Sequence, residues 1–214
     1  MKQYLNSPDG KRMVGRTSWE YAKEYDEARA KTLAKLKEAL ANRESIDIGT
    51  SPTSGSLNSP ITLVEFIDFQ CGYCDEGRRT ISELLEKYPN TFLLVVKHVN
   101  FFGEESERAA RSALAANEQG KYWEMYDLLF DNRTNLNESL YVRLAERLNL
   151  DPEKFVEDFR SKKVSTQLHA DSTLSSKVNI DGTPVYFFNG VRIDGTQPTK
   201  YFELVVGALK KERE

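Results

Sequence analysis

Cysteine is scarce in this chain: among 214 residues it occurs only as Cys71 and Cys74. A framework of several disulfides is therefore excluded, and the fold must be held together by apolar packing, for which 39% of the residues are suited. Because only Gly72 and Tyr73 separate the two cysteines, a bridge between them would constrain the unfolded chain very little. A structural disulfide is thus a poor explanation of the pair.

Long apolar runs and an excess of basic charge are also missing. No stretch approaches the roughly 18 apolar residues of a membrane span, and the first residues lack the apolar segment of a secretory signal. The 30 basic and 33 acidic residues are well mixed and leave a net charge of −3. This balance disfavours a nucleic-acid partner, which would require a concentrated basic face.

Residues 1–58 are predicted to form a helical extension followed by a linker. The helix is expected over about residues 17–43, since this segment opens with a capping box and is rich in good helix formers. Its leucines share one stripe, but Asp26 and Arg29 fall on the same stripe, so a sustained coiled coil is not supported. Two interpretations stay open: a helix packed on its own domain or frayed in solvent, and a helix that joins copies into a homo-oligomer. Residues 49–60 are rich in Ser, Gly and Pro and predict the linker.

Residues 59–214 alternate between strand and helix patterns. Apolar β-type runs begin at Ile61 and Phe92, with a helical pattern between them, which indicates a parallel βαβ unit. The pattern over about residues 104–178 is helical, and strands then resume around an Asn-Gly hairpin turn before a last helix. The sequence therefore predicts an α/β domain with a helical insertion.

The cysteine pair lies where the first strand pattern gives way to a helix. The sulfur of Cys71 is then expected at the helix N-terminus, where unpaired N–H groups and the helix dipole lower a thiol pKa from about 8.5. Cys74, one turn further on, is placed to attack a mixed disulfide formed by Cys71 and to release the substrate. We predict a redox centre with Cys71 as nucleophile and Cys74 as resolving thiol, and no cofactor beyond their redox-active disulfide.

A zinc site is the alternative, because the chain also contains two histidines, His98 and His169. The histidines of a zinc finger follow one another within about three to five residues. Here they are far apart, with His98 expected at the end of a strand and His169 within a helix. The spacing disfavours zinc, and no metal site is predicted.

The segments ITLVEFIDFQCGYC and GTPVYFFNG, together with the helical insertion between them, resemble the DsbA-like thioredoxin-fold thiol–disulfide oxidoreductases. The resemblance covers about residues 59–212 and implies a thioredoxin fold with an inserted helical subdomain. It also implies that Glu65 is a buried acid near Cys74, with a raised pKa suited to exchanging protons with that thiol. An exposed glutamate at a strand edge is the alternative.

The resemblance further identifies Pro184 with the cis-proline of this family. A cis bond would bring Thr183 beside the cysteines and leave its backbone free to pair with an extended substrate peptide; an ordinary trans turn is the alternative. Substrate contacts are therefore expected from Thr183, Pro184, Gly72 and Tyr73. The implied partners are cysteine-containing substrate proteins and a redox partner that resets the site.

The two residues between the cysteines affect the direction of the reaction. A histidine there, frequent in strong oxidases of this family, stabilises the thiolate and makes the disulfide more oxidising, whereas Gly72 and Tyr73 are not cationic. With Thr183 before the proline, they resemble the DsbC-type disulfide isomerases and the ScsC proteins, which add an N-terminal helical oligomerisation region.

The leading hypothesis is an enzyme for exchange of protein disulfides with isomerase or reductase bias. The alternatives are a monomeric DsbA-type dithiol oxidase and a peptide-binding holdase in which the cysteines are incidental. An oxidising compartment favours the periplasm or cell envelope, with a signal or anchor absent from this chain. Some variants of the family work in the cytosol, so a cytoplasmic location stays open.

Overall fold

The computed structural model describes residues 18–212, and the chain divides into two units, Met1–Asn42 and Arg43–Glu214. In the first unit the helix α1 spans Ser18–Ala41, and Lys23 and Glu27 form an i,i+4 ion pair with an N–O distance of 3.9 Å. The expected helix is thus confirmed, while its predicted first residue, Thr17, lies outside the described residues. Its role in joining copies of the chain stays a prediction.

The second unit is built on a five-stranded sheet with the order β1-β3-β2-β4-β5. The central strand β2 pairs parallel with β3 and antiparallel with β4, which pairs antiparallel with β5. The predicted βαβ unit and C-terminal hairpin are confirmed. The strands are β1 (Thr53–Ser54), β2 (Ile61–Ile67), β3 (Phe92–His98), β4 (Val185–Phe188) and β5 (Val191–Asp194).

Helices connect and cover these strands. One helix joins β2 to β3, and five helices form the insertion between β3 and β4. A last helix packs against the helix that joins β2 to β3. None of the helices within residues 18–212 combines the length and apolar character needed to cross a membrane. Their bounds are α2 (Gly72–Lys87), α3 (Glu104–Asn117), α4 (Tyr122–Asp131), α5 (Glu138–Arg147), α6 (Pro152–Arg160), α7 (Lys162–Lys177) and α8 (Thr199–Lys211).

The ends of the insertion helices follow from local capping. Asp151 caps α6 by accepting a hydrogen bond from the backbone of Lys154, and Pro152 occupies the first helical position, as expected. Ser161 then ends α6 and caps α7 by accepting from the backbone N–H of Val164. The sequence prediction did not separate these two helices, because the polar residues on both sides of Ser161 suit a helix.

Side chains of β2 alternate between two apolar layers. Val64 and Phe66 pack with Phe187 in the layer on one face of the sheet. Ile67 packs with Val96 and the insertion helices on the other face. Since residues two apart on a strand share a face, Glu65 lies on the side of Ile67, towards the insertion. The fold therefore places an acid in the layer between the sheet and the helical insertion.

The predicted linker over residues 49–60 is wrong in part. Thr53–Ser54 forms the edge strand β1, antiparallel to β3, and the carbonyl oxygen of Pro52 accepts from the backbone N–H of Val96 at 3.1 Å. The sheet-bearing unit accordingly begins at Arg43, before the boundary expected from composition. Two residues with exposed side chains leave no apolar pattern in the sequence, which explains the error.

Candidate active site

The turn that leads from β2 into α2 is organised by the buried carboxylate of Asp68. One of its oxygens accepts from the backbone N–H of Gln70 at 2.8 Å, and the other accepts from that of Phe101 at 2.9 Å. Its main-chain carbonyl accepts from the N–H of Cys71 at 3.0 Å. Asp68 thus fixes the backbone before the first cysteine. Sequence reasoning missed it, although an acid at the end of a buried strand is an available signal.

Cys71 and Cys74 are free, buried thiols at the start of α2. Cys71 is the N-cap residue, and its carbonyl oxygen accepts from the backbone N–H groups of Cys74 and Asp75 at 3.2 and 3.3 Å. Cys74 lies within the first turn and is 1% exposed, while Cys71 is 4% exposed. The helix therefore begins at the first cysteine, as the sequence predicts.

The environment lowers the pKa of the Cys71 thiol from 9.0 to about 5. The main cause is a hydrogen bond from the side chain of Cys74, and burial opposes it; hydrogen bonds from Thr183 and from the backbone of Cys74 and Tyr73 lower the pKa further. All of these donors favour the negatively charged sulfur. Cys71 is therefore a thiolate at neutral pH.

The pKa of the Cys74 thiol shifts in the opposite direction, well above its ordinary value. Burial is the main cause, and the hydrogen bond that Cys74 donates to Cys71 adds to it, because that bond needs the proton on Cys74. Cys74 is consequently a protonated thiol when Cys71 is charged. The two sulfurs differ in charge state in the way that a nucleophile and a resolving thiol require.

The segment before β4 lies directly beside Cys71. The Thr183–Pro184 peptide bond is cis, and the sulfur of Cys71 lies 3.3 Å from the carbonyl oxygen of Thr183, to which the protonated thiol donates. A cleft of about 550 Å³ is lined by Thr183 and Pro184 and continues to Arg192 and Asp194 at the end of β5. The expected neighbourhood of Thr183 and the cysteines is thus present.

Gly77 allows α2 and the start of β4 to approach one another. A Cβ atom on this glycine would lie 2.1 Å from the hydroxyl oxygen of Tyr186 and 3.5 Å from Cγ of Pro184. The first distance is far below van der Waals contact, so any side chain here would push the two elements apart. A glycine inside an amphipathic helix was the available sequence signal for this contact.

Glu65 is buried, with 1% of its surface exposed, on the central strand of the sheet. Burial raises its pKa from 4.5 to about 7, against the effect of a 3.0 Å hydrogen bond donated by the hydroxyl of Tyr126. The exposed strand-edge alternative is therefore excluded. The Glu65 carboxylate accepts this hydrogen bond from Tyr126 on α4, and proton exchange between Glu65 and Cys74 stays a prediction.

The residues between the cysteines have contrasting surroundings. Tyr73 is 66% exposed, whereas Gly72 lies beneath the guanidinium of Arg133, a residue that follows α4. Phe101 and Phe102, held to Asp68 through their backbone N–H groups, are also exposed large apolar residues. Aromatic surface therefore borders the redox pair.

A family model described as the DSBA-like thioredoxin domain matches residues 62–207. The chain belongs to this family. The match includes Cys71, Cys74, Glu65 and the Thr183–Pro184 segment, so all predicted site residues lie within the DSBA-like domain. The predicted fold, a thioredoxin fold with a helical insertion, is confirmed.

Several known proteins are similar to this DSBA-like domain. The Na(+)/H(+) antiporter NhaA 3 of Salinispora tropica is 33% identical over 152 residues, which are 70% of this chain and 23% of that protein. The chain thus spans about a quarter of the length of the curated relatives it matches. The crystal structure of a thioredoxin-like oxidoreductase from Silicibacter pomeroyi is 27% identical, covers 75% of this chain and 92% of its own, and has a TM-score of 0.68. The catalytic domain of Proteus mirabilis ScsC, 23% identical, covers 84% and 97% with a TM-score of 0.67 and shows the same fold.

The two histidines lie apart from the cysteines of the DSBA-like domain. His98 is buried, and its Nε2 lies 2.9 Å from the hydroxyl of Tyr122. His169 lines a separate cleft of about 940 Å³ that none of the predicted site residues borders. Within residues 18–212 no three His, Cys, Asp or Glu side chains are grouped in a way that could hold a metal ion. The histidines and cysteines thus do not form one four-ligand cluster.

Proposed function

We propose that this DSBA-like domain catalyses thiol–disulfide exchange on cysteine-containing proteins. The observation that carries the proposal is the opposite shift of the two cysteine pKa values, which leaves Cys71 charged and Cys74 protonated near neutral pH. The thiolate is the attacking species in disulfide exchange. A charged Cys71 supports its role as nucleophile, and a protonated Cys74 beside it supports the role of resolving thiol.

The exchange proceeds in two displacements. The Cys71 thiolate attacks one sulfur of a substrate disulfide, forms a mixed disulfide and releases the other substrate sulfur as a thiolate. Cys74 then loses its proton and attacks the Cys71 sulfur, which releases the second substrate thiolate and leaves a Cys71–Cys74 disulfide. Two electrons pass to the substrate, and the reverse sequence oxidises a dithiol. The pair serves as its own redox group, so no further cofactor is required.

The proton of Cys74 needs an acceptor within a buried site. Glu65 supports this role because its pKa of about 7 allows it to take up and release a proton near neutral pH. Tyr186 pairs with Glu65 across β2 and β4, and its pKa is raised by burial and then by the negative charge of Glu65. The hydroxyl of Tyr186 reaches Gly77 of α2, the helix that carries Cys74, which supports the proximity of Glu65 to that helix.

Substrates are expected to bind as extended peptides. The backbone of Thr183 is adjacent to Cys71 and borders a cleft, an arrangement that favours strand-like pairing with a peptide segment that carries the reacting sulfur. Gly72 presents no side chain that would obstruct the approach, while Tyr73, Phe101 and Phe102 offer exposed aromatic surface. Partly unfolded proteins, which expose apolar segments next to cysteines, suit such a surface.

The direction of exchange depends on how strongly the thiolate is stabilised. The pKa of Cys71, about 5, falls between the pKa values of the nucleophilic cysteines of thioredoxin, about 7, and DsbA, about 3.5. Their reduction potentials are about −270 and about −120 mV, so we expect an intermediate potential. We therefore favour isomerase or reductase bias, with a redox partner that returns the pair to the dithiol. The lowered pKa also supports the alternative of a dithiol oxidase, whose partner would restore the disulfide.

Refolding of a protein with scrambled disulfides tests this function. We expect the reduced chain to restore native disulfides faster than Cys71→Ser, and a Cys74→Ser variant to accumulate mixed disulfides. Oxidation of a reduced substrate by the disulfide form, measured in parallel, distinguishes the oxidase alternative. If neither assay exceeds the Cys71→Ser variant, the proposal fails.

We further propose that the domain works in an oxidising compartment such as the periplasm or cell envelope, because disulfides persist there. Alkylation of thiols in intact cells, compared with lysed cells, tests this location. Labelling of the pair by a membrane-impermeant reagent in intact cells is expected. Protection until lysis contradicts the proposal.

A further inference from the structure

A cation supplied by the helical insertion covers Gly72, the residue that follows Cys71. Arg133 follows α4 in a turn in which its backbone N–H donates to the carbonyl oxygen of Phe130 at 3.1 Å. A Cβ atom placed on Gly72 would lie 3.6 Å from Cζ and Nη1 of Arg133 and 3.7 Å from Nη2. Nearly equal distances to three atoms of a planar group mean that its face lies over Gly72. The N–H edges therefore point away from Gly72.

The guanidinium is held only loosely by its neighbours. Its Nε lies 3.8 Å from an oxygen of Asp75, beyond hydrogen-bond length. The same carboxylate also contacts Arg78 at 2.8 Å and Arg79 at 3.3 Å. Within the described part of the chain, the two terminal nitrogens of Arg133 have no hydrogen-bond partner. They are available to a ligand, because 36% of this side chain is exposed.

The position of Gly72 explains how an arginine from a distant element fits here. A methyl group would make ordinary van der Waals contact with the guanidinium at 3.6 Å, whereas a longer side chain would occupy its place. The dipeptide carries no cation of its own, and the insertion provides one above it. Arg133 therefore places a positive, planar group over the residue next to Cys71.

We propose that Arg133 is a substrate-binding residue that favours an acidic side chain near the reacting cysteine of the substrate. This specificity rests on the thiol–disulfide exchange proposed above. A guanidinium presents parallel N–H donors that match a carboxylate, and because it is weakly hydrated, a partly exposed arginine loses little solvation when it binds one. The neighbouring Tyr73 is 66% exposed, so the surface beside Gly72 is open to solvent.

The expected size of the preference for an acidic side chain follows from the exposure of Arg133. A charged pair at the solvent-exposed rim of a binding site changes rates by up to about fivefold, and the effect decreases with added salt. We expect peptides with glutamate beside the cysteine to react about fivefold faster than those with glutamine. Peptides with lysine at that position should react more slowly than both.

Single-turnover rates of the full, reduced chain with short disulfide peptides test the proposal. The peptides are capped at both ends and carry Glu, Gln or Lys at each position within two residues of the cysteine. We expect Arg133→Gln to abolish the preference for Glu and Arg133→Lys to retain part of it. Arg79→Gln is the matched control, since Arg79 also pairs with Asp75, is 71% exposed and does not cover Gly72. It should keep the full preference.

The outcomes distinguish failure of the role of Arg133 from failure of the thiol–disulfide exchange on which that role rests. A chain that reacts with all peptides at equal rates, or an Arg79→Gln variant that loses the preference as Arg133→Gln does, overturns the role of Arg133. A uniform slowing of all peptides by Arg133→Gln also overturns it, since that result indicates a structural role. Failure of the unaltered chain to react with any peptide instead overturns the exchange function.

Discussion

The sulfur of Cys71 lies 3.3 Å from the carbonyl oxygen of Thr183, although 112 residues separate the two in sequence. The contact brings together the N-terminus of α2 and the segment that enters β4, with all five insertion helices between them along the chain. The proposed attack on a bound peptide requires that Cys71 and the backbone of Thr183 be adjacent. The fold brings these two residues together by returning the chain to the central strand after the insertion.

The first prediction concerns the ionisation of Cys71. Ultraviolet absorbance of the thiolate in the reduced protein should titrate with a midpoint near pH 5. Because a hydrogen bond from Cys74 is the main cause of the shift, Cys74→Ala should move the midpoint towards higher pH. Cys74→Ser, which keeps a donor, should move it less. A midpoint near 9 in the unaltered chain, or equal midpoints in both variants, contradicts the assignment.

The second prediction concerns Glu65 and the pH dependence of stability. Its pKa in the folded state, about 7, lies above the ordinary value of 4.5. The folded protein therefore holds the proton more tightly, and the stabilisation present below pH 4.5 is lost as pH rises through 7. The loss amounts to about 3 kcal/mol of unfolding free energy.

Urea unfolding of the oxidised protein between pH 4 and 8 measures this effect without a contribution from free thiols. Glu65→Gln keeps the size and polarity of the side chain but cannot ionise. We expect the unfolding free energy of the unaltered chain to decrease relative to that of Glu65→Gln as pH rises. A constant difference across this range would falsify the raised pKa.

The third prediction concerns Gly77. Gly77→Ala should destabilise the domain by about 1–3 kcal/mol, a typical cost of overpacking, because its methyl group would overlap the hydroxyl of Tyr186. Gly207→Ala is the matched control: Gly207 lies within α8 and a Cβ atom there would meet nothing within 4 Å. That variant should be neutral or slightly stabilising.

A second substitution distinguishes the overlap from other effects at Gly77. Tyr186→Phe removes the hydroxyl oxygen that a Cβ atom would meet, so it should recover part of the stability lost in Gly77→Ala. Thermal unfolding of the single and double variants measures the coupling between the two sites. Strictly additive losses contradict a direct contact as the cause.

The fourth prediction concerns Asp171 on α7, which is fully buried. Its carboxylate lies 3.2 Å from Nζ of Lys97 and accepts from the backbone N–H of His98 at 3.0 Å and from Gln167 at 2.8 Å. Asp171→Asn leaves the buried lysine without its counter-charge, so we expect a loss of about 3–5 kcal/mol. Adding Lys97→Met should restore part of it. Wild-type stability in Asp171→Asn contradicts the assignment.

Much of the domain could be predicted because its elements leave local patterns. The apolar run that became β2 and the amphipathic period that placed Ile81 and Leu84 in the buried face of α2 are both visible in the sequence. The N-cap at Asp151 and the hairpin turn at Asn189 follow from known preferences of single residues. The cysteine spacing located the centre of the site.

The remaining features depend on contacts between distant parts of the chain. The edge strand at Thr53–Ser54 has no apolar pattern, because only its backbone pairs with β3. Arg133 appears in the sequence as an ordinary charged residue of a turn, and only the fold places it over Gly72. Neither Gly72 nor Tyr73 is cationic, and a cation over Gly72 could not be predicted from their positions, because it belongs to the insertion.

The most direct test of the account is to trap the mixed disulfide. A reduced Cys74→Ala variant, treated with a disulfide peptide and analysed by mass spectrometry, should carry one peptide stably bound to Cys71. Cys71→Ala should react far more slowly, because the pKa of Cys74 is raised. The absence of an adduct on Cys71, or equal rates for the two variants, would contradict the assignment of nucleophile and resolving thiol.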